Sequence, residues 1–365
     1  MVNVRGSGLV RKAIYVVSTE ESSGKSAIIV ALASMAMEMG VRVGYFKPIG
    51  TSSLLAPGRE HLDEDVEIMR AILKSRHESN ILCPIILKRE DFLRDFAETH
   101  IKSHIENILA AYKVASNGTD IMLIEGSRSL SVGAFIECSA PRLAREIGAE
   151  ILLIGRFRDD SIVDDVLQAQ DCCIKWGTKI SWVVLNRIPP DMMEHAERVV
   201  RPFLEKHGIR VSGLIPEDRV LSSPTVREIC DFIGGRVLAG KDGLDRTIEA
   251  VLVGAMTPES AVKYFRKVAN ELVITGGDRT DIILTALETD VSAIVLTGNL
   301  YPSTKVFPKA DQLKVPLILV PYDTYTTLQY VQKVIGRIKP GDSRRISAAI
   351  NLVRKYVDWR QLLGV

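Results

Sequence analysis

The sequence predicts an α/β protein in two parts: a doubly wound parallel sheet within residues 1–230, and a second, smaller α/β domain within 245–340. Three observations predict it. Short β-branched runs alternate with longer helical patterns, the rhythm of βα units. The runs are apolar at consecutive positions, as in strands covered on both faces. The chain has 365 residues, which favours two domains at roughly 100–200 residues each.

In the first part the strands are expected at Ala13–Val17, Val41–Phe46, Pro84–Leu87, Ile121–Glu125, Ile151–Ile154, Ser181–Leu185 and Val211–Ile215. Helical patterns fill the intervals at Lys25–Met39, Asp63–Lys74, Thr99–Ser116, Pro141–Ile147, Ser161–Lys175 and Met192–His207. Gly234, Gly235, Gly240 and Gly243 stand among charged residues, so 231–244 is expected to be a linker. The rhythm then restarts at shorter spacing with strands Leu272–Thr275, Ala293–Thr297 and Leu317–Val320 and helices Thr280–Glu288, Thr304–Leu313 and Thr324–Ile335. The closing segment 341–365 places Ile346, Ile350, Val353 and Val357 on one helical face.

Hydrophobic residues make up 46% and charged residues 25%, which excludes a disordered, collagen-like or disulfide-scaffold chain. Lys+Arg 47 against Asp+Glu 45 leaves +2. With no concentrated basic face, neither a nucleic-acid nor a membrane-surface partner is expected. The five cysteines are scattered without a CxxC pair, the pattern of reduced structural thiols. Ala13–Val17 is too short for a secretory signal. The longest apolar tract, Ala27–Met37, falls short of the roughly 18 residues that span a bilayer and reads as a buried helix. A cytoplasmic location is expected.

The first strand runs into Ser18-Thr19-Glu20-Glu21-Ser22-Ser23-Gly24-Lys25-Ser26 and a long helix follows at once. That is the setting of a phosphate loop, where backbone N–H groups and a helix dipole face an anion, a lysine reaches the terminal phosphates and a hydroxyl holds Mg²⁺. The early glycine of G-x-x-x-x-G-K-S/T is replaced by Thr19, and Gly24-Lys25-Ser26 is also readable as a plain helix start. Glu20 and Glu21 would repel a phosphate unless Mg²⁺ offset them.

The loop resembles that of dethiobiotin synthetases, G-T-D-T-x-V-G-K-T, and further matches follow in order. Gly44-Tyr45-Phe46-Lys47-Pro48-Ile49 resembles G-Y-x-K-P-V; Asp65 opens a helix where the family keeps a metal-binding aspartate; Ile124-Glu125-Gly126 resembles V-E-G; and Asn186 stands where the family's asparagine reads the adenine. The resemblance implies ATP and Mg²⁺ as ligands. It implies a loop site of Glu20, Glu21, Ser22, Ser23, Gly24, Lys25 and Ser26, with Asn186, Arg187, Pro216 and Glu217 beside the nucleotide. The metal set is Ser26, Asp65 and Glu125, hard oxygens suited to Mg²⁺, and Lys25 and Lys47 carry the chemistry. Blander roles stay open: Asp65 as a helix-start carboxylate, Glu125 as a buried acid with a basic partner, Lys47 as a surface lysine, and Asn186 as a turn former before Pro189-Pro190. Two departures stand out: Ser18 replaces the first loop glycine, and Gly126 is followed by Ser127-Arg128-Ser129, where an arginine would reshape or block the substrate pocket.

A second resemblance covers the rest. Leu272–Asp281, with Gly276-Gly277 ahead of Asp278-Arg279-Thr280, and Val295-Leu296-Thr297-Gly298 look like a DRTGG-type domain with its signature permuted. Ile215-Pro216-Glu217-Asp218-Arg219 resembles the junction found in bacterial phosphotransacetylases and cobyrinate-amidating enzymes. In the phosphotransacetylases both domains precede an acetyl-transfer domain, whereas here about one helix is expected after the second. Gly276-Gly277 would allow close backbone approach, Asp278 would cap a helix, and Arg279 is either a phosphate partner or an ordinary surface arginine. The resemblances imply an adenine-nucleotide-binding regulatory or partner protein acting with a phosphotransacetylase-type or other acyl-CoA enzyme, as a homodimer. The alternative is an ATP-dependent ligase that phosphorylates a carboxylate or carbamate; phosphotransacetylase activity by this chain itself is not expected. His100 and His104, one turn apart, are expected on a solvated helix face, and Asp159-Asp160 and Asp164-Asp165 at a helix start.

Overall fold

A computed structural model describes residues 10–51, 62–87, 92–96, 101–267, 269–334 and 342–365. The chain divides into two compact units, one of Met1–Asp218 with Ile338–Val365 and one of Arg219–Arg337.

In the first unit six parallel strands lie in the order β2-β5-β1-β6-β7-β8, formed by β1 (Lys12–Ser18), β2 (Val43–Phe46), β5 (Ile121–Glu125), β6 (Glu150–Arg156), β7 (Ile180–Ile188) and β8 (Val211–Pro216). Two short strands, β3 (Ile49–Thr51) and β4 (Ile85–Leu87), pair with each other outside that sheet, which corrects the placing of 84–87 among its strands. The registers Val16↔Glu125, Ser18↔Ile154 and Arg156↔Asn186 bring the carboxyl ends of four strands to one edge. That is the edge where open α/β sheets bind ligands.

Helix α1 (Lys25–Glu38) buries residues around its whole circumference, from Ile28 through Ala36. It is covered by the sheet and by the helix Ser343–Tyr356, which also pairs Arg354 with Glu38 at 2.7 Å. The C-terminal segment is not one helix. It opens at Val357, which bridges antiparallel to Gly213 while the Asp358 N–H donates to the Ser212 carbonyl, and turns helical again at Trp359–Leu363. The expected helix Met192–His207 contains a π-helical turn, Ala196–Val200, ahead of Pro202. Proline has no N–H to donate back up the helix, and the wider turn absorbs the loss.

In the second unit the order is β10-β11-β12-β13-β9, from β9 (Arg236–Ala239), β10 (Ala250–Val253), β11 (Glu271–Gly276), β12 (Val291–Thr297) and β13 (Leu317–Leu319), with only β9 antiparallel. Apolar clusters cover both faces, one around Val273, Ile294 and Leu296, the other around Leu272, Ile274 and Val295. The interval 231–244 lies inside the second unit, where it supplies the edge strand β9, and is not a linker. Its Gly240 and Gly243 give passage to the backbone of 314–316, within 2.1 Å of where their side chains would begin. The break falls after Asp218 and not at 230, because the helix Val226–Phe232 sends Val226, Ile229 and Cys230 into the second unit's core.

Candidate functional site

The loop between β1 and α1 is made of bends around a turn at Glu21–Ser22, with Ser22 at φ +59° and Gly24 at φ +94°. Lys25 is only 8% exposed and its Nζ donates to Ser18 Oγ at 2.7 Å, while that hydroxyl donates to the Glu20 carbonyl at 2.7 Å. The serine that replaces the first loop glycine thus holds the loop lysine. Burial pushes the Lys25 ammonium below its usual range, against the pull of Glu125 and Asp65. Thr19 Oγ1 and Ser23 Oγ are buried without a hydrogen-bond partner. The loop thus presents a buried cation held by a neutral hydroxyl beside two hydroxyls without partners, polar groups whose burial is costly unless matched.

A carboxylate network lies beside it. Glu125 is buried at the end of β5 and accepts from Ser26 Oγ at 2.7 Å and from the Tyr45 hydroxyl at 2.6 Å. Burial raises its pKa to about 7, Asp65 adds to the rise, and Lys47 with the two hydroxyl donors opposes it. Lys47 is 4% exposed, donating to Asp63 at 2.8 Å and to Asp65 at 2.6 Å. Burial would discharge it, but the carboxylates of Asp63, Asp65 and Glu125 win and hold it well above its ordinary pKa. Lys47 is thus no surface lysine. Asp63 also caps α2 (Glu64–Leu73), accepting from the N–H groups of Asp65 and Val66, and receives the Thr51 N–H at 2.9 Å.

On the other flank, β7 breaks register between Leu185 and Ile188, with Arg187 at φ +58°. This bulge turns the Asn186 amide onto the loop, where Nδ2 donates to the Ser23 carbonyl at 2.8 Å. Burial and the neighbouring Arg156 press the Arg187 guanidinium down, while Glu217 and Glu20 pull it up. Glu217 is fixed by its N–H on the Ile188 carbonyl, Pro216 ends β8 opposite Ile188, and Glu20 pairs with Arg158. Glu21 is exposed and acts on Lys25 only through its charge.

Lys25, Ser26, Lys47, Asp65, Glu125, Asn186 and the loop therefore gather at one strand edge. Ser26, Asp65 and Glu125 have the oxygens Mg²⁺ takes, yet both Glu125 oxygens accept hydrogen bonds and Asp65 holds Lys47. Among the described residues no group of three or more His, Cys, Asp or Glu is arranged for a metal. This donor set fits a cation that brings phosphate oxygens with it, the usual habit of Mg²⁺. Arg128 is exposed and only its carbonyl approaches Ser18, so its side chain does not fill the site. Sequence reasoning missed what Ser18, Tyr45 and Asp63 do, as partners of Lys25, Glu125 and Lys47. Tyr45 lies inside the quoted Gly44–Ile49 run, and Asp63 carries the signal of a helix cap two residues before Asp65.

In the second unit Gly277 packs so closely that a Cβ would stand 1.7 Å from the Leu300 carbonyl oxygen. Asp278 is not the cap: the helix Thr280–Ala286 starts at Arg279 without a side-chain cap. Arg279 is spent internally, on Asp281 through two nitrogens at 3.0 Å and on the Met256 carbonyl at 3.0 Å. His104 meets the Phe96 ring at 5.3 Å, and His100 lies outside the described residues. Asp159 accepts from the Ser161 N–H, and Asp160 pairs with His195 at 2.7 Å. No helix of the described residues is long and apolar enough to cross a membrane.

Residues 12–225 match the AAA domain family and residues 228–334 the DRTGG domain. Among curated proteins the chain is similar to the phosphate acetyltransferase of Nitratidesulfovibrio vulgaris, 25% identical over 96% of this chain and 51% of the relative. That of Synechocystis sp. is 26% identical over the same shares, 96% and 51%. The chain thus spans about half the length of the curated relatives it matches. Among solved structures it overlaps in part with the MinC:MinD cell division protein complex of Aquifex aeolicus (14% identity, 57% of this chain, 83% of that chain, TM-score 0.38). It also overlaps with the CBS and DRTGG domains of the regulatory region of a Clostridium perfringens pyrophosphatase complexed with its activator, diadenosine tetraphosphate (16% identity, 42% of this chain, 74% of that chain, TM-score 0.28). With a phosphate-loop α/β unit matched over more than half its length, the chain belongs to the AAA domain family and carries a DRTGG domain after it.

Proposed function

We propose that the first unit binds ATP with Mg²⁺ and that the chain is a regulatory or partner module, related to the matching half of phosphate acetyltransferases, that senses nucleotide or metabolite in acyl-CoA and acetate metabolism. The observation that carries this reading is Lys25, a buried ammonium resting on a neutral hydroxyl beside two unmatched hydroxyls. A phosphate would give that charge the partner it lacks. Ser26, with Glu125 and Asp65 behind it, would hold Mg²⁺, which when bound would offset the phosphate charge against Glu20 and Glu21. Arg187 and Glu217 would flank the nucleoside. A homodimer and an adenine-nucleotide ligand for the DRTGG domain belong to the same reading.

A ligase that phosphorylates a carboxylate or carbamate is the second reading, favoured by Lys47 beside the loop. Against it, the Lys47 ammonium is committed to Asp63 and Asp65. The test is calorimetric titration of ATP and ADP with Mg²⁺ into wild type and Lys25→Ala, followed by ADP release across diamino acids and dicarboxylic acids. The module predicts binding that Lys25→Ala weakens at least tenfold, with little turnover. Unchanged binding in Lys25→Ala would remove the loop assignment, and Lys47-dependent turnover would establish the ligase.

A further inference from the structure

We propose that Tyr45 is a positioning residue for the metal-binding half of the site: its hydroxyl fixes the Glu125 carboxylate beside Ser26, and this sets a preference for Mg²⁺ over Ca²⁺. This role rests on the reading of the first unit as an ATP·Mg²⁺ site. It adds a residue that belongs neither to the phosphate loop nor to the set Ser26, Asp65 and Glu125.

The strands bring the two groups together. β2 runs parallel to β5 with Tyr45 opposite Leu123, so Glu125, two residues further on, stands on the same face of the neighbouring strand. A diagonal pair of this kind is within reach of a long aromatic side chain, and the Tyr45 hydroxyl donates to Glu125 Oε2 at 2.6 Å. The other oxygen, Oε1, accepts from Ser26 Oγ at 2.7 Å, at the start of α1. Both Tyr45 and Glu125 are buried. The last torsion of a glutamate is broad and soft on its own, so these two bonds decide where its oxygens stand. The hydroxyl is also what tyrosine adds at this position. Phenylalanine suits a strand equally well and has nearly the same shape, whereas a buried hydroxyl costs free energy unless it is matched.

The consequence for a cation follows from the donor inventory. Each carboxylate oxygen has a second lone pair, and the Ser26 hydroxyl, with its proton on Glu125, keeps its own lone pairs. Both bonds can therefore stay in place while Ser26 and Glu125 face a cation or the water around one. Mg²⁺ demands near-ideal octahedral geometry, whereas Ca²⁺ accepts a larger and more flexible set of oxygens. A carboxylate fixed at both oxygens suits the stricter ion, and one released at Oε2 penalises Mg²⁺ more than Ca²⁺. Tyr45 thus contributes to metal choice while touching neither nucleotide nor metal.

The experiment measures ATP affinity of wild type, Tyr45→Phe, Glu125→Gln and the double variant with saturating Mg²⁺, with saturating Ca²⁺ and with EDTA. Unfolding midpoints of the ligand-free proteins are followed alongside. Wild type should bind ATP more tightly with Mg²⁺ than with Ca²⁺. Tyr45→Phe should lose about tenfold with Mg²⁺, as removal of an outer partner of a metal ligand does, and about twofold or less with Ca²⁺, the more tolerant ion. With EDTA it should lose nothing, and in the Glu125→Gln background it should have no further effect. An unchanged Mg²⁺-to-Ca²⁺ ratio, or a loss that persists in full when Glu125 is already glutamine, would overturn the proposal. Equal losses under all three conditions, with or without a lowered unfolding midpoint, would make Tyr45 a core residue only and overturn it as well. If Mg²⁺ does not tighten ATP binding to wild type, or if Lys25→Ala binds ATP as wild type does, the ATP·Mg²⁺ reading falls and takes the role of Tyr45 with it. If Mg²⁺ tightens wild type and Tyr45→Phe alike, the role of Tyr45 alone falls.

Discussion

Replacing Lys47 with methionine should cost the first unit roughly 3–4 kcal/mol, in the lower part of the range for breaking a buried ion pair from one side. Each Lys47 contact, 2.8 Å to Asp63 and 2.6 Å to Asp65, corresponds to about 6 kcal/mol of attraction at an effective dielectric of 20, most of it offset by burying the charges. Methionine fills most of the volume and leaves the carboxylates behind. Asp63, 2% exposed at its side chain, keeps the N–H groups of Thr51, Asp65 and Val66, which limits the damage. Asp65 is 34% exposed and can turn to water. A lysine whose folded pKa lies above its unfolded value contributes in full below the unfolded pKa and loses that contribution only as pH rises through the folded one. The lysine's own titration therefore adds no slope to the gap between wild type and Lys47→Met from about pH 6 to 9, but Glu125, held at about 7 against burial partly by Lys47, should make the gap widen as pH rises through about 7. All three tryptophans, Trp176, Trp182 and Trp359, belong to the first unit, so urea unfolding followed by tryptophan fluorescence reads that unit. A loss under about 1 kcal/mol, the value of an exposed pair, would refute the claim that the ammonium holds the network together.

Three further outcomes are expected. Gly24→Ala forces an L-residue to φ +94° and sets a Cβ 2.2 Å from Asn186; a loss of about 1–3 kcal/mol in the first unit is expected from strain of this kind, read by the same fluorescence. Gly277→Ala brings a Cβ to 1.7 Å from the Leu300 carbonyl oxygen and should lower the second unit's stability by about 1–3 kcal/mol as overpacking does, seen in tyrosine fluorescence while the tryptophan transition stays in place. Glu271 is fully buried with both carboxylate oxygens unpartnered, and burial raises its pKa from 4.5 to about 7. An acid whose folded pKa is raised binds its proton better in the fold, so the second unit should lose roughly 2–3 kcal/mol as pH climbs from 4.5 through 7. Glu271→Gln should flatten that dependence, and an unchanged slope would assign it to other groups.

Much of this architecture is legible in the amino-acid sequence. The strands β1, β5, β6, β7 and β8 are apolar at consecutive positions, and burial on both faces demands that pattern wherever it occurs. The loop 18–26 was legible because backbone, lysine and hydroxyl must follow a strand and open a helix in close sequence. What escaped were elements whose evidence lies elsewhere in the chain. β9 is short and edge-bound, and its glycines look like a linker until the backbone of 314–316 is seen passing them. The bend at Val357 exists because β8 offers Gly213 and the Ser212 carbonyl to it.

The sequence by itself determined the two-part α/β plan and the strand–loop–helix setting of Lys25 and Ser26, because periodicity and local motif are properties of neighbours in the chain; that Lys47, Asp65, Glu125 and Asn186 join them came from the family resemblance. Only the tertiary structure decided how those groups spend their charges and hydrogen bonds. It set Lys47 between Asp63 and Asp65, Ser18 under Lys25, Tyr45 on Glu125 and Asn186 on the Ser23 carbonyl. Such partnerships depend on distances of a few ångström between residues far apart in sequence, and on burial that sharpens every unpaired charge.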